Sequence, residues 1–187
     1  HDILYKKLQA RRDRVPVAMD QYFRFIQKVA DIKTSDKNEW VQITDAPGGG
    51  MNVRISKINK DGTVEEELMN KTYDPALTKE IRLYVRNGND SILLDNKASK
   101  IKLRIVGGND KKAYHIISSG NRVDIYDKQN QSAFYGNVSK VKKHISNDSL
   151  NTVFVPVNLY NIWMPVTVIG LNLDDGFIIG AGFKYIK

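Results

Sequence analysis

The sequence contains no cysteine and only five prolines among its 187 residues. The lack of cysteine excludes disulfide bonds and thiolate chemistry, but it leaves the compartment open because many exported bacterial proteins also lack cysteine. No window holds the ~18 unbroken apolar residues of a membrane-spanning helix, and no signal peptide is visible at the start. Because both ends look cut, we expect the chain to be a piece of a longer precursor.

Motifs of the common enzyme classes are also missing. The three histidines, His1, His115 and His144, show no metal-ligand spacing. The sequence has no Gly-x-Ser-x-Gly nucleophile elbow, no phosphate-binding loop and no dinucleotide fingerprint that opens a helix after a strand. We therefore expect a non-catalytic protein without a cofactor.

The positive charge is concentrated in parts of the chain. The net charge is +8 overall, +4 over residues 1–30, −3 over residues 31–80 and +5 over residues 97–112. Local basic patches can bind nucleic acid, anionic lipid or lipopolysaccharide phosphates, but a solubilising surface is the favoured interpretation, because charge runs alone are weak evidence. Tyr84 lies between Arg82 and Arg86, but no nucleic-acid-binding motif surrounds it, so we do not expect nucleic acid as a partner.

The first thirty residues predict helix. Apolar residues recur at helical spacing on one face, namely Met19, Tyr22, Phe23, Ile26 and Val29. Pro16 predicts a break or kink ahead of this stripe. We expect the stripe to pack on the sheet that follows, with Arg11, Arg12 and Asp13 fixing the helix to it, and we assign a helical segment to residues 1–33.

The period changes to two after Lys33. Residues 39–44 and 51–59 alternate apolar and polar side chains, with the Pro-Gly-Gly-Gly run at 47–50 between them, and the Lys-Asp-Gly turn at 60–62 leads into a further segment at 63–73. This pattern predicts an antiparallel β-meander.

Short β segments of about five to seven residues follow from Thr78, each closed by Asn, Gly or Asp. Their spacing fits a β-solenoid-like stack or a β-sandwich of short strands. The predicted fold is thus mainly β with an N-terminal helical segment (α+β), the β-rich module covering residues 34–160. The predicted inward side chains are Ile81, Leu83, Ile92, Leu94, Ile101, Leu103, Ile105, Tyr114, Ile116, Val123 and Ile125.

Two turns, NGNDSIL at 87–93 and GGNDKKA at 107–113, share a theme with the calcium-binding nonapeptide repeat. Asp90 and Asp110 are the candidate calcium ligands, and Gly107 and Gly108 are the candidate turn residues. Val85 and Arg86 stand where the repeat needs glycines, and a cationic side chain repels calcium, so the capping of turns by Asn and Asp is the stronger interpretation.

The last segment, residues 161–187, predicts a hairpin. Asp174, Asp175 and Gly176 form its turn. Along the last strand Phe177, Ile179, Ala181, Phe183 and Tyr185 fall on one face, and Ile178, Gly180, Gly182 and Lys184 fall on the other. This length and alternation are typical of an outer-membrane barrel strand, for which Tyr160 and Trp163 would form an aromatic girdle. A hairpin packed on a soluble core is the alternative.

Several stretches resemble the periplasmic region that precedes a surface-antigen-type outer-membrane β-barrel in exported proteins of Gram-negative bacteria. They are residues 8–43 (LQARRDR to NEWVQI), TKEIRLY at 78–84, IKLRIVGGND at 101–110 and NLDDGFIIGAGFKY at 172–185. Proteins of this kind can carry an N-terminal calcineurin-like metallophosphoesterase domain. Its metal ligands are not in this sequence, so its activity is not carried over.

The resemblance implies a periplasmic or outer-membrane location. It implies a module that positions or binds a partner domain beside a barrel, its partners being another protein or the rest of the parent chain. Two other functions remain open. One is a calcium- or glycan-binding β-module of an exported protein, and the other is a binder of anionic surfaces.

Overall fold

The computed structural model describes residues 2–59, 61–154, 162–172 and 176–186. It is mostly β, with 53% of residues in strands and one N-terminal helix, which confirms the predicted fold class. The helix α1 spans Asp2–Ile26. The strands are β1 (Val29–Lys33), β2 (Glu39–Ala46), β3 (Gly50–Ile58), β4 (Val64–Tyr73), β5 (Glu80–Tyr84), β6 (Asp90–Asn96), β7 (Lys102–Val106), β8 (Lys112–Ser119), β9 (Val123–Asp127), β10 (Ser132–Gly136), β11 (Lys142–Ile145), β12 (Ile162–Asn172) and β13 (Gly176–Ile186).

Two sheets stack as a parallel β-solenoid. The five-stranded sheet has the order β1-β5-β7-β9-β11, and the six-stranded sheet has the order β10-β8-β6-β2-β3-β4. From β5 onward the chain alternates between the sheets, and each strand pairs in parallel with the equivalent strand of the preceding coil. The stack makes about three turns. The structure therefore decides for the solenoid over the sandwich.

The predicted meander is present as β2, β3 and β4. β3 pairs antiparallel with β2, and β4 pairs antiparallel with β3, so this hairpin widens the six-stranded sheet on one side. The three consecutive glutamates, Glu65, Glu66 and Glu67, are exposed on β4, as expected for a solvated edge strand.

The core lies between the two sheets. All eleven side chains predicted to point inward are at most 3% exposed. Equivalent positions stack from coil to coil, as in the rows Ile81–Leu103–Val123 and Leu83–Ile105–Ile125. The alternation of apolar and polar residues predicts these buried side chains correctly, because each short strand has one face on the core and one face in solvent.

Side-chain amides connect the turns of neighbouring coils. Asn38 Oδ1 accepts a hydrogen bond from the Asn89 amide nitrogen (2.9 Å), and Asn89 Oδ1 accepts one from the Lys111 amide nitrogen (3.2 Å). Asn109 Nδ2 donates to Asn87 Oδ1 (3.0 Å). The first two bonds satisfy backbone amides that the turns would leave unpaired, and the third links two turn side chains, which explains the Asn-rich turn motifs.

The helix differs from the prediction in three ways. It runs without interruption through Pro16 and ends at Ile26, while Val29 begins β1, so the last part of the predicted helical segment is strand. No residue of α1 is buried, and the predicted packing of its apolar stripe on the sheet was wrong. Arg12 pairs with its neighbour Asp13 (2.8 Å) rather than with a strand. The periodicity of the stripe predicted the helix but not the exposure of its apolar face.

The C-terminal unit, which begins at Val155, contains the hairpin β12–β13. Each strand has 11 residues, and the pairing is antiparallel and in register from Ile162↔Ile186 to Asn172↔Gly176. Gly176 has φ +80°, a conformation that favours glycine at a tight turn. Asp174, Asp175 and Tyr160, predicted as turn and girdle residues, lie outside the described residues.

Among the residues that the structure describes, no helix is both long and apolar enough to cross a bilayer.

Candidate functional site

A shallow groove of about 410 Å³ lies on the outer face of the six-stranded sheet. Its floor is a row of small side chains, Ser91, Ala113 and Ala133, which pair in register across β6, β8 and β10. Small residues at one position of three successive coils leave a channel that runs from strand to strand. The groove is therefore a product of the coil register.

The Tyr135 ring lines this groove and belongs to a group of aromatic rings on the same sheet. The His115 and Tyr135 rings stack with centroids 4.9 Å apart, and the Trp40 ring lies 6.5 Å from His115. Tyr135 is 53% exposed, so part of its ring is free to contact a ligand. Exposed aromatic faces bind apolar ring faces of ligands, and tyrosine adds a polar group at the edge.

Turn residues also line the groove, and they are polar. They are Asn89, Lys111, Asn130 and Gln131. The Gln131 Oε1 atom is buried and has no hydrogen-bond partner within the described part of the chain. A buried amide oxygen without a partner is an unsatisfied hydrogen-bond acceptor at the edge of the groove.

Two buried charges lie beneath the groove. The Lys112 ammonium nitrogen is 2.9 Å from the Asp90 carboxylate, and neither side chain has any solvent-exposed area. The ammonium also donates to the carbonyl oxygens of Gly88 (2.5 Å) and Asn109 (2.6 Å). Burial raises the pKa of Asp90 to about 6, although Lys112 opposes the shift.

The candidate calcium ligands are engaged by protein groups. Asp90 contacts Lys112 and accepts the Glu39 amide hydrogen (2.9 Å). Asp110 Oδ2 accepts the Gly88 amide hydrogen (3.0 Å), and its φ of +67° suits a turn residue. The described residues contain no group of three or more His, Cys, Asp or Glu side chains placed to hold a metal ion. These contacts are those of a buried residue for Asp90 and of a turn residue for Asp110.

The turn glycines Gly107 and Gly108 are needed for close packing rather than for an unusual φ. A Cβ atom at Gly107 would collide with the carboxylate of Asp127, and one at Gly108 would collide with the carbonyl group of Arg86. Asp127 Oδ2 accepts the Tyr114 hydroxyl hydrogen (2.7 Å), so Gly107 makes room for a buried polar pair. Burial raises the pKa of Asp127, and burial together with Asp127 raises that of Tyr114 well above its ordinary value.

A cluster of ion pairs lies on the outer face of the five-stranded sheet. The Asp124 carboxylate is 3.2 Å from His144 Nε2 and 3.3 Å from Lys102 Nζ. Burial alone would raise the pKa of Asp124, but the hydrogen bonds from His144 and Lys102 outweigh it and lower the pKa. The His144 ring also stacks on Tyr126, with centroids 4.3 Å apart.

These pairs neutralise much of the basic region at 97–112. Arg104 lies 3.5 Å from Glu80, which also pairs with Arg82 at 2.7 Å. A cation with an acidic partner is a poor contact for phosphate. Within the described residues Lys102, Arg82 and Arg104 therefore each have a carboxylate partner.

Sequence reasoning missed Lys112, Glu39 and the groove. A lysine at the first position of a strand reads as exposed, yet Lys112 is buried because it stacks in register on Asp90. The repeat spacing of the coils is the signal that could have found the pair, because it aligns the two residues. Comparisons with protein-family models, with curated proteins and with solved structures find no match for the chain.

Proposed function

We propose that this chain is a non-catalytic module of an outer-membrane-associated protein of a Gram-negative bacterium. In this proposal the solenoid lies in the periplasm and positions a partner protein or another domain of the parent chain. The hairpin β12–β13 contributes two strands to a membrane barrel. The proposal makes no use of a reactive group, a metal or a cofactor in the chain.

One observation carries the proposal, namely the apolar face of the hairpin. Side chains that alternate along both strands and pair across them share this face, and apart from Thr167 they are apolar or aromatic. They are Trp163, Pro165, Thr167, Ile169, Leu171, Phe177, Ile179, Ala181, Phe183 and Tyr185. Ile169, Leu171, Ile179 and Phe183 are each about 70% exposed. A water-soluble protein would bury such a face.

The dimensions of the hairpin fit a bilayer. A transmembrane β-strand needs about 9–11 residues when it is tilted, and both strands have 11. Trp163 stacks on Phe183 (5.1 Å) and lies 5.2 Å from Tyr185, which places an aromatic cluster at one end of the apolar face. Such clusters are typical of the boundary between lipid and water.

The other face of the hairpin is less apolar. It carries Gly170, Gly180, Gly182 and Lys184 together with Met164, Val166, Val168 and Ile178. Within the described residues β12 and β13 pair only with each other, so each has a free edge. Unpaired edges are costly in hydrocarbon, so further strands must come from the rest of the parent chain or from other copies.

A matched pair of substitutions tests the proposal. Ile169 and Val168 are neighbours on β12 whose side chains lie on opposite faces. The chain is mixed with phosphatidylcholine vesicles, which are then floated after a high-salt wash. Ile169→Lys should abolish membrane association, because a lysine in contact with lipid costs about 2–4 kcal/mol at the bilayer centre. Val168→Lys should have little effect. Equal loss in both variants, or no association of the unmodified chain, would contradict the proposal.

A second function, glycan binding, is supported by the groove on the six-stranded sheet. The Tyr135 ring that lines it, its row of amides and Lys111 match the apolar ring faces, hydroxyls and carboxylates of an acidic oligosaccharide. Titration calorimetry with a uronic-acid tetrasaccharide tests it. Tyr135→Ala should abolish the binding, and Tyr5→Ala, at an exposed tyrosine on α1, should not. If the unmodified chain gives no heat of binding with the tetrasaccharide, the glycan-binding function is contradicted.

A further inference from the structure

The helix α1 carries a long apolar stripe whose side chains are exposed to solvent. The stripe follows helical spacing from the first turn to the last and consists of Leu4, Tyr5, Leu8, Val15, Met19, Tyr22, Phe23 and Ile26. Each of these side chains is at least 39% exposed. Exposed apolar surface of this extent is stable only against an apolar partner.

The charges of α1 are sorted around this stripe. The three acids, Asp2, Asp13 and Asp20, are eleven and seven residues apart, close to whole numbers of helical turns, so they lie on one side of the helix, away from the stripe. Each already has a cationic partner on the same helix, at 3.0, 2.8 and 2.8 Å.

The cations beside the stripe are less constrained. Arg11 lies three residues after Leu8 and four before Val15, so it interrupts the stripe on the same face. Within the described part of the chain Lys7, Arg11 and Arg14 have no acidic partner. Long basic side chains bury their stems in apolar surface and extend their charges to the level of phosphate groups.

We infer that α1 is a membrane-surface helix that lies in the headgroup region of an anionic bilayer, with its apolar stripe in the acyl boundary and its flanking cations on lipid phosphates. The apolar stripe, the cations along its border and the acids on the far side are the arrangement of an interfacial helix. Charge complementarity selects anionic lipid over a neutral protein groove as the occupant of the stripe.

The inference does not depend on the hairpin, and its test separates the two. The full chain is floated with vesicles that contain phosphatidylglycerol or phosphatidylcholine alone, at low and high salt. Binding through α1 should need phosphatidylglycerol and weaken steeply with salt. Insertion of the hairpin should resist salt, because its apolar face carries no charge. The Ile169→Lys variant should therefore retain the salt-sensitive binding.

Leu8→Glu and Ala10→Glu form the matched pair for α1. Both variants add one negative charge to the same turn, but Ala10 lies on the side of the helix opposite the stripe. Leu8→Glu should weaken binding to phosphatidylglycerol vesicles at least about ten-fold, because it removes a leucine that the bilayer would bury, while Ala10→Glu should weaken it much less. Circular dichroism checks that both variants keep their helix.

Three results would overturn the inference. They are no binding to phosphatidylglycerol vesicles, equal loss in the two glutamate variants, or a salt-resistant binding that only Ile169→Lys removes. Concentration-dependent association of the chain in sedimentation, lost in Leu8→Glu and unaffected by vesicles, would assign the stripe to a second copy instead.

Discussion

Lys112 and Asp90 form an ion pair of 2.9 Å between side chains that are completely buried, one on each of two neighbouring coils. The pair joins β8 to β6 in register, and the Lys112 ammonium also holds two turn carbonyls. Fully buried ions are tolerated only when they are paired and hydrogen-bonded. The pair therefore fixes how the coils align, and the groove lies directly above it.

Removing Lys112 should destabilise the solenoid strongly. Lys112→Met leaves Asp90 buried without its partner and should lower the free energy of unfolding by about 3–5 kcal/mol. Lys111→Met, at the exposed neighbouring lysine, should change it by no more than about 0.5 kcal/mol. Urea denaturation at pH 8 measures both. Equal stabilities would show that the pair does not hold the coils.

Asp90 should make stability depend on pH in an unusual direction. Its pKa is raised to about 6 in the folded chain, above its ordinary value of 3.8, so its protonated form is favoured by folding. This contribution is fully present below about pH 4 and is lost as pH rises through 6. The unmodified chain should therefore lose stability relative to the Asp90→Asn variant as the pH rises from about 4 through 6. Thermal denaturation across pH 4–8 checks it, and a constant difference contradicts it.

Asp124 should show the opposite dependence. Its pKa is lowered by His144 and Lys102, so its contribution is present above pH 4 and is lost as pH falls through the folded pKa. Asp124→Asn should cost about 1.5–3 kcal/mol at pH 7, the range for hydrogen bonds to charged groups, and little near pH 2. Asp20→Asn, in an exposed pair on α1, is the control and should change the stability little at either pH, because exposed ion pairs are screened by solvent.

Gly107 should not tolerate even alanine. The added Cβ would displace the Asp127 carboxylate from the Tyr114 hydroxyl, which disrupts a buried hydrogen bond. We expect a loss of about 2 kcal/mol or more in the free energy of unfolding. Gly182→Ala is the control, because no atom lies within 4 Å of a Cβ there. A Gly107→Ala variant as stable as the control would mean that the turn relaxes freely.

Calcium should leave the melting temperature unchanged. Asp90 and Asp110, the candidate ligands, are bonded to Lys112 and to the Gly88 amide, and an ion that binds the folded chain must raise its stability. Differential scanning fluorimetry with calcium and with a chelator measures the shift. An increase with calcium that disappears in Asp110→Asn would restore the calcium-binding interpretation.

The alternation of apolar residues was enough to predict the strands and the core. Ile81, Leu103 and Ile125 were identified as inward because a short strand with one buried face leaves a period of two. The parallel pairing was not predicted, since it depends on which strands meet across coils and not on any one strand. The burial of Lys112 and the row Ser91–Ala113–Ala133 follow from that pairing, so both were missed.

The helix α1 shows a second limit of prediction from the sequence. The stripe around Met19 and Phe23 predicted α1 correctly, but an amphipathic helix reads the same whether it packs on its own sheet or on another surface. Only the structure shows that the stripe is exposed. Alternation alone predicted the two faces of β13. The residues of β12 that share its apolar face are known only from the pairing register, which places them opposite Tyr185 and Phe183.

Depth-dependent quenching of Trp163 tests the central proposal most directly. The chain has two tryptophans, so Trp40→Phe leaves Trp163 as the only tryptophan and Trp163→Phe leaves only Trp40, on the solenoid. With vesicles of brominated lipids, the account predicts a blue shift and strong quenching of Trp163, and no change for Trp40. A Trp163 emission that stays at its value in water and is not quenched would contradict the proposal that this hairpin belongs in a membrane.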